Sequence, residues 1–232
     1  PSANSSADRD SATIPWMTTA PDTMQPRLHL RFPRTLSPLD YFAGAFVFAV
    51  SLAVYVKTLA PTVYGEDSGE LVAAADTLGI PHPTGYPLWC ILAKVFMIVV
   101  YTGDSAWRAN LFSALCGSAA AMCTAWIICL TTRHRIAAIA ASLSLAFSIE
   151  FWEQSVIAEV YALNALITAA CILLLLLWSE TRRNIFLYAA GLLFGAGLTN
   201  HQVMLLCAPA FAVYVLAIGG VRFRAWTMHS IT

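Results

Sequence analysis

Seven stretches of the chain are dominated by apolar residues, at 41–59, 86–101, 109–130, 136–149, 158–178, 185–198 and 203–218, with short polar segments between them. A helix needs roughly 17–25 mainly apolar residues to cross a bilayer. Most of the runs meet that length or reach it with flanking residues. The pattern predicts an all-α integral membrane protein with six or seven membrane helices. The run 86–101 is the odd one, because it is short, carries Lys94 in its middle and follows a Pro-rich turn. It is expected to enter the membrane without crossing it, as segments buried in protein can.

Composition agrees with this picture. Hydrophobic residues make up 59% of the 232 positions and charged residues 11%, with a mean hydropathy of +0.68, far from soluble-protein norms. The 13 basic and 13 acidic side chains cancel, so a nucleic-acid partner is not expected. Placement of the charges sets orientation. Arg133 with Arg135, Arg182 with Arg183, and Arg222 with Arg224 mark cytoplasmic segments, as do Arg27, Arg31 and Arg34 ahead of the first run. The segments 60–87, 148–158 and 199–202 hold no Lys or Arg and read as extracytoplasmic loops. Residues 1–38 are rich in Ser, Thr, Pro and Asp and read as a disordered cytoplasmic tail. Residues 39–220 form the membrane domain, and 221–232 a cytoplasmic end.

The six cysteines lie inside apolar runs without a CxxC pair, and read as buried thiols. Gly191 and Gly195 form a small-xxx-small pattern suited to close helix packing. No Walker loop, GxGxxG, GxSxG or HExxH occurs, which leaves nucleotide-dependent chemistry without support.

The segment YGEDSGELVAAADTLG places Glu66, Asp67 and Glu70 within five residues. Asp67 and Glu70 have the spacing of an acidic capping box, and Leu71, Val72, Ala74, Ala75 and Leu78 follow at helical spacing. A short amphipathic helix on the outer membrane surface is predicted, with Asp67 capping it and Gly79 and Pro81 ending it. Capping leaves Glu66 unexplained. The following IPHPTGYPLW stiffens a turn around His82 and Tyr86.

Two further polar clusters fall on the same predicted face. FWEQSVIAEVYALN brings Glu159 and Asn164 to the start of a membrane helix, and GLTNHQ adds Asn200 and His201. Ionisable groups at such depth are costly unless they serve a site or pathway. Arg108, in AWRANLFSAL, is either an interface anchor or a phosphate contact.

The strings LAPTVYGEDSGELVAAADTLGIPHPTGYPLW, WRANLFSAL, FWEQSVIAEVYALNAL and GLTNHQVMLLCAPA, in that order, resemble the protein O-mannosyltransferase-like membrane family. The resemblance implies a GT-C-like bundle that transfers a sugar, mannose in the vertebrate relative, from a polyprenyl- or dolichyl-phosphate donor to a protein or other hydroxyl on the extracytoplasmic side. It implies Asp67 as general base, with Glu66 as alternate and Glu70 as helper. His82 and Tyr86 would shape the site, Arg108 would meet the donor phosphate, and Glu159, Asn164, Asn200 and His201 would line the cavity. No metal is assigned. The lipid bilayer, the lipid-linked sugar and further membrane subunits are the expected partners. The location implied is the endoplasmic reticulum in a eukaryote or the inner membrane in a bacterium. Relatives generally continue past the point where this sequence ends, which fits a fragment, a subunit or a reduced form. A non-catalytic GT-C-derived scaffold subunit and a small transporter are the alternatives.

Overall fold

A computed structural model describes residues 35–229, with side chains as far as Gly219. Most of the expected tail, with Arg27, Arg31 and Arg34, lies outside the described residues, as do the side chains of Arg222 and Arg224. The described residues are helical, without strands.

Helix α1 (Pro38–Lys57) starts at a closed capping box. Ser37 is extended (φ −83°, ψ 163°), its hydroxyl accepts from the Asp40 N–H, and the Asp40 carboxylate accepts from the Ser37 N–H at 2.8 Å. Pro38 fits the first helical turn, where an N–H would be unpaired anyway. Helix α2 (Ser68–Thr77) is the amphipathic helix read from the sequence. Leu71, Val72, Ala74 and Ala75 are buried, while Leu78 is exposed and takes the left-handed conformation that ends the helix (φ 53°). The Gly79 N–H closes the turn on the Ala74 carbonyl at 2.8 Å.

Helix α3 (Pro87–Val99) has 13 residues and rises about 20 Å, short of the roughly 30 Å hydrocarbon core. Its Lys94 is paired: the ammonium bonds to the Asp76 carbonyl and carboxylate of α2. Helix α4 (Ser105–Thr132) is the axis of the bundle, packed along α1 and along α7 (Val160–Thr181). Small residues allow the close approach. A Cβ on Gly44 would lie 2.1 Å from the Trp126 indole, and one on Gly117 would lie 2.2 Å from the Ser155 hydroxyl.

The segment 148–158, expected as a loop, is mostly helical. Helix α5 (Arg135–Ala146) bends by 66° into α6 (Ile149–Val156). Two contacts give the reason. The Trp152 indole donates to the Thr58 hydroxyl at 3.0 Å, and the Val156 carbonyl accepts the Ala60 N–H at 3.1 Å. The segment 199–202 is also nearly all ordered helix, because α8 (Asn184–Asn200) passes through His201 alone into the 3₁₀ turn Gln202–Cys207 and α9 (Ala208–His229).

Four helical stretches are long and apolar enough to cross a membrane: α1, α4, α7, and the 3₁₀ turn with α9. The bent α5–α6 pair makes a fifth. The apolar helices α3 and α8 are shorter than a span, so among the described residues four or five spans stand where the apolar runs predicted six or seven membrane helices. This is an all-α membrane protein. Its six cysteines are free, and all but the half-buried Cys207 are buried.

The ends of the bundle differ in charge. The first carries Arg133, Arg135, Arg182 and Arg183 at the α4–α5 and α7–α8 junctions, with Arg135 paired to Asp40 at 2.7 Å. The second gathers the start of α2, the α3, α4 and α7 N-termini and the end of α8.

Candidate active site at the acidic end of the bundle

The start of α2 departs from the capping box expected there. Gly65 and Glu66 both adopt left-handed backbone (φ 49° and 45°), and Asp67 follows at φ −89°, ψ 3°. A side chain caps a helix from an extended residue. With ψ near zero the Asp67 carboxylate makes no capping bond, although its carbonyl still accepts from Leu71 N–H at 2.9 Å. Glu70 does not turn back to the helix start either. Its two oxygens accept from the His82 backbone N–H at 2.7 Å and meet His82 Nδ1 at 3.0 Å.

His82 is thus the hub. Its Nε2 is 3.6 Å from Asp67 Oδ2 and 2.9 Å from the Tyr86 hydroxyl. The hydrogen bond to Glu70, reinforced by the charges of Asp67, Glu70 and Glu159, raises the His82 pKa above its usual value. The same bond, with that from the backbone, holds the Glu70 carboxyl below the ordinary range. Beyond Tyr86 an aromatic wall continues. Its ring stacks on His201 at 5.7 Å and 2° between planes, and Tyr161 tilts against the far side of His201 at 5.4 Å.

Glu159 sits behind the carboxylates and is only 3% exposed. Its backbone is clamped: the Trp89 indole donates to its carbonyl at 3.1 Å, and the Ser113 hydroxyl lies 3.4 Å from both its N–H and its carbonyl. One of its carboxyl oxygens, Oε1, has no hydrogen-bond partner. Burial first, then the nearby charges of Glu66 and Asp67, push its pKa up to about 7, against the pull of the Val160 and Asp67 N–H groups. Asn200 is fully buried and donates to the Val160 carbonyl at 3.2 Å, which fixes the end of α8 against the start of α7. Asn164 lies further along α7, with its amide oxygen unpartnered.

Arg108 is occupied elsewhere. Its guanidinium donates to the carbonyls of Met97 (2.8 Å), Asp104 (3.1 Å) and Val100 (3.5 Å), closing the C-terminal end of α3. The structure brings Glu66, Asp67, Glu70, His82, Tyr86, Glu159, Asn200 and His201 to one end of the bundle. It gives Arg108 and Asn164 no contact with the carboxylates.

Gln154 and Tyr161 of the FWEQSVIAEVYALN cluster join this end of the bundle, as does Asn110, which was not singled out from the sequence. Gln154 donates to Glu66 at 3.4 Å across a cleft of about 620 Å³ between α6 and α7, also lined by Ser148, Glu150, Phe151 and Tyr161. Asn110, fully buried in α4, donates to the Ala60 and Thr62 carbonyls at 2.9 and 3.1 Å and so anchors the loop leading to Asp67. A signal existed: an amide inside the apolar run after Trp107 has to find a partner. As for ion binding, Asp67, Glu70 and His82 each offer an atom within 4.8 Å of the others.

This arrangement lies within a known sequence family. The model of the protein O-mannosyl-transferase TMEM260 N-terminal domain matches residues 67–220. The chain belongs to that family. Protein O-mannosyl-transferase TMEM260 of Mus musculus is 38% identical over 120 residues, 52% of this chain and 17% of the relative. Protein O-mannosyl-transferase tmem260 of Dictyostelium discoideum is 27% identical over 203 residues, 80% of this chain and 24% of the relative. The chain thus spans about a fifth of the length of the curated relatives it matches. No solved structure matches it significantly. The matched family region begins at Asp67 and takes in both halves of the site, the α2–α3 turn and the α6–α8 contacts.

Proposed function

We propose that this chain carries the catalytic end of a membrane O-mannosyltransferase, which moves mannose from a lipid-phosphate donor to a protein hydroxyl. The observation that carries the reading is a carboxylate, Asp67, released from helix capping and backed by the buried Glu159, one of whose oxygens is unpartnered. Family membership and the names of the relatives supply the reaction class.

In this mechanism Asp67 takes the proton of the acceptor hydroxyl as the oxygen attacks the anomeric carbon. The bond from that carbon to the phosphate oxygen breaks on the opposite face, and the configuration inverts. General-base assistance of this kind contributes about 10²–10⁴-fold. A protonated Glu159 spares the fold a buried negative charge behind the exposed Asp67 carboxylate. The departing phosphate needs positive charge, and the carboxylates around His82 favour positive charge at Nε2. Arg108, spent on the α3 carbonyls, has no such role in this scheme. The cleft between α6 and α7, with Glu66 and Gln154 at its polar wall and Phe151 and Ala165 among its apolar lining, suits a sugar head with the first prenyl units.

The absence of Lys and Arg in the loops at this end supports an extracytoplasmic site. Relatives from mouse and Dictyostelium favour a eukaryotic setting and the endoplasmic reticulum membrane. The test is transfer by the intact protein in vesicles, offered either dolichyl-phosphate-linked or nucleotide-linked mannose with an acceptor protein. Transfer from the lipid donor alone, lost in Asp67→Asn, is expected. Binding of partner membrane subunits without transfer from either donor would instead make the chain a scaffold.

A further inference from the structure

Glu66 is the carboxylate that helix capping leaves unexplained, and the backbone shows where it is sent. Its φ of 45° lies in the left-handed region, which glycine tolerates and a residue with a Cβ resists. Strain of this kind persists where a functional side chain has to be aimed. Here the aim is the cleft of about 620 Å³ between α6 and α7, where Glu66 meets Gln154.

The two groups are held but not used up. Gln154 Nε2 lies 3.4 Å from Glu66 Oε2, longer than the roughly 2.7–2.9 Å of a charge-assisted hydrogen bond. Among the described residues Gln154 is the one hydrogen-bond partner of the Glu66 carboxylate. The amide orientation is fixed, because Oε1 is closed off from solvent and a flipped amide would set oxygen against oxygen. An ionised carboxylate accepts at about four sites and an amide NH₂ donates two bonds. A hydroxyl entering between them would donate to Glu66 and accept from Gln154, replacing one long bond by two of ordinary length. The Phe151 and Tyr161 side chains on the same cleft offer ring surface for the C–H face of a pyranose.

Which hydroxyl is met follows from the neighbouring residue. Asp67, the proposed base, works at the anomeric carbon, and successive Cα atoms are about 3.8 Å apart. Glu66 therefore serves the carbon next to the anomeric one.

We infer that Glu66 and Gln154 read the 2-hydroxyl of the donor sugar, Glu66 accepting a hydrogen bond from it and Gln154 donating one to it. The inference rests on the transferase reading and adds sugar specificity to it. The 2-hydroxyl is axial in mannose and equatorial in glucose, so one contact separates the two epimers. As positive charge grows at the anomeric carbon the 2-hydroxyl becomes a stronger donor, and its bond to Glu66 tightens, as in glycoside hydrolysis. A site built around a hydroxyl rejects the analogue that lacks it, because its own polar groups are then left unpaired.

The test offers the intact protein, in vesicles with an acceptor protein, dolichyl-phosphate-linked mannose, its 2-deoxy counterpart or the glucose epimer. Loss of the hydroxyl also changes intrinsic reactivity, so the readout is the change in the mannose to 2-deoxy ratio of kcat/KM on substitution. That ratio is independent of the folded fraction of a preparation. In Glu66→Gln it should fall by about 10–100-fold, with the preference for mannose over glucose narrowing as well. Gln154→Ala should lower it by a smaller factor. Glu70→Gln, which acts through His82, should slow both donors alike. Mannose transfer with the ratio unmoved in Glu66→Gln would overturn the inference and leave the transferase reading standing. No transfer of any of the three sugars by the unaltered protein would fail that reading itself, and the inference with it.

Discussion

Two helices of this chain begin with the same polar spacing and use it in opposite ways. At α1, Ser37 and Asp40 are three apart, and both side chains serve the helix. Ser37 is extended, the box closes, and Asp40 is neutralised by Arg135. At α2, Asp67 and Glu70 are also three apart. Here the left-handed Gly65 and Glu66 deliver Asp67 with ψ near zero, so neither carboxylate caps and both turn to His82. An N-cap contributes roughly 1 kcal/mol. At α2 that contribution is forgone, and two carboxylates are held next to a third, Glu66, and a buried fourth, Glu159. The spacing of the residues is thus less informative than the backbone that precedes them.

The largest effect expected at the acidic end concerns Glu159. Its pKa is raised in the fold to about 7 from 4.5, so its protonated form is the one the fold favours. Stability is full below about pH 4.5 and is lost as pH rises through about 7, by about 3 kcal/mol in all. Glu159→Gln removes this dependence. In chelator-treated protein, the thermal stability of the variant relative to the unaltered protein should rise between about pH 5 and pH 8. Parallel curves would show that Glu159 does not carry the burden assigned to it.

Next comes Asn110→Ala, which leaves the Ala60 and Thr62 carbonyls without their donor. A loss of about 2 kcal/mol is expected in denaturant or thermal unfolding, with a drop in transfer because the loop to Asp67 loosens. A change at that site that left transfer intact would detach the loop anchor from the site.

A smaller effect sharpens the comparison of the two helix starts. Ser37→Ala should cost about 1 kcal/mol without altering transfer per folded molecule. Asp67→Ala should change stability by less than about 0.5 kcal/mol. Equal costs would mean that Asp67 caps α2 after all. Smallest of all should be the effect of Arg108→Lys on apparent donor affinity. It removes a fork of bonds to α3 and lowers stability slightly, but should leave the KM for the lipid donor unchanged. A several-fold rise in KM would restore Arg108 as a phosphate contact.

Much of the architecture was legible in the sequence, because membrane spans are written as long apolar runs and their sidedness as arginines. The gathering of the GEDSGE, FWEQSVIAEV and GLTNHQ segments at one end follows from that sidedness. What escaped depends on contacts between distant residues or on backbone angles. The caps of α1 and α2 look alike until φ and ψ are known. Arg108 looks free until the α3 carbonyls are found 8 and 11 residues before it. Segment 148–158 looks like a loop until Trp152 is seen bonded to Thr58, 94 residues earlier. Glu159 looks like any carboxylate at a helix start until Trp89, 70 residues away, is found holding its backbone inside the protein.

The central claim is that Asp67 is kept for chemistry and not for its helix. The most direct measurement is mannose transfer from a dolichyl-phosphate donor by the intact Asp67→Asn protein, with its thermal stability read on the same preparation. The account predicts a loss of about 10²–10⁴-fold in rate with unchanged stability. Full transfer with reduced stability would contradict it, and would return Asp67 to the role of a helix cap.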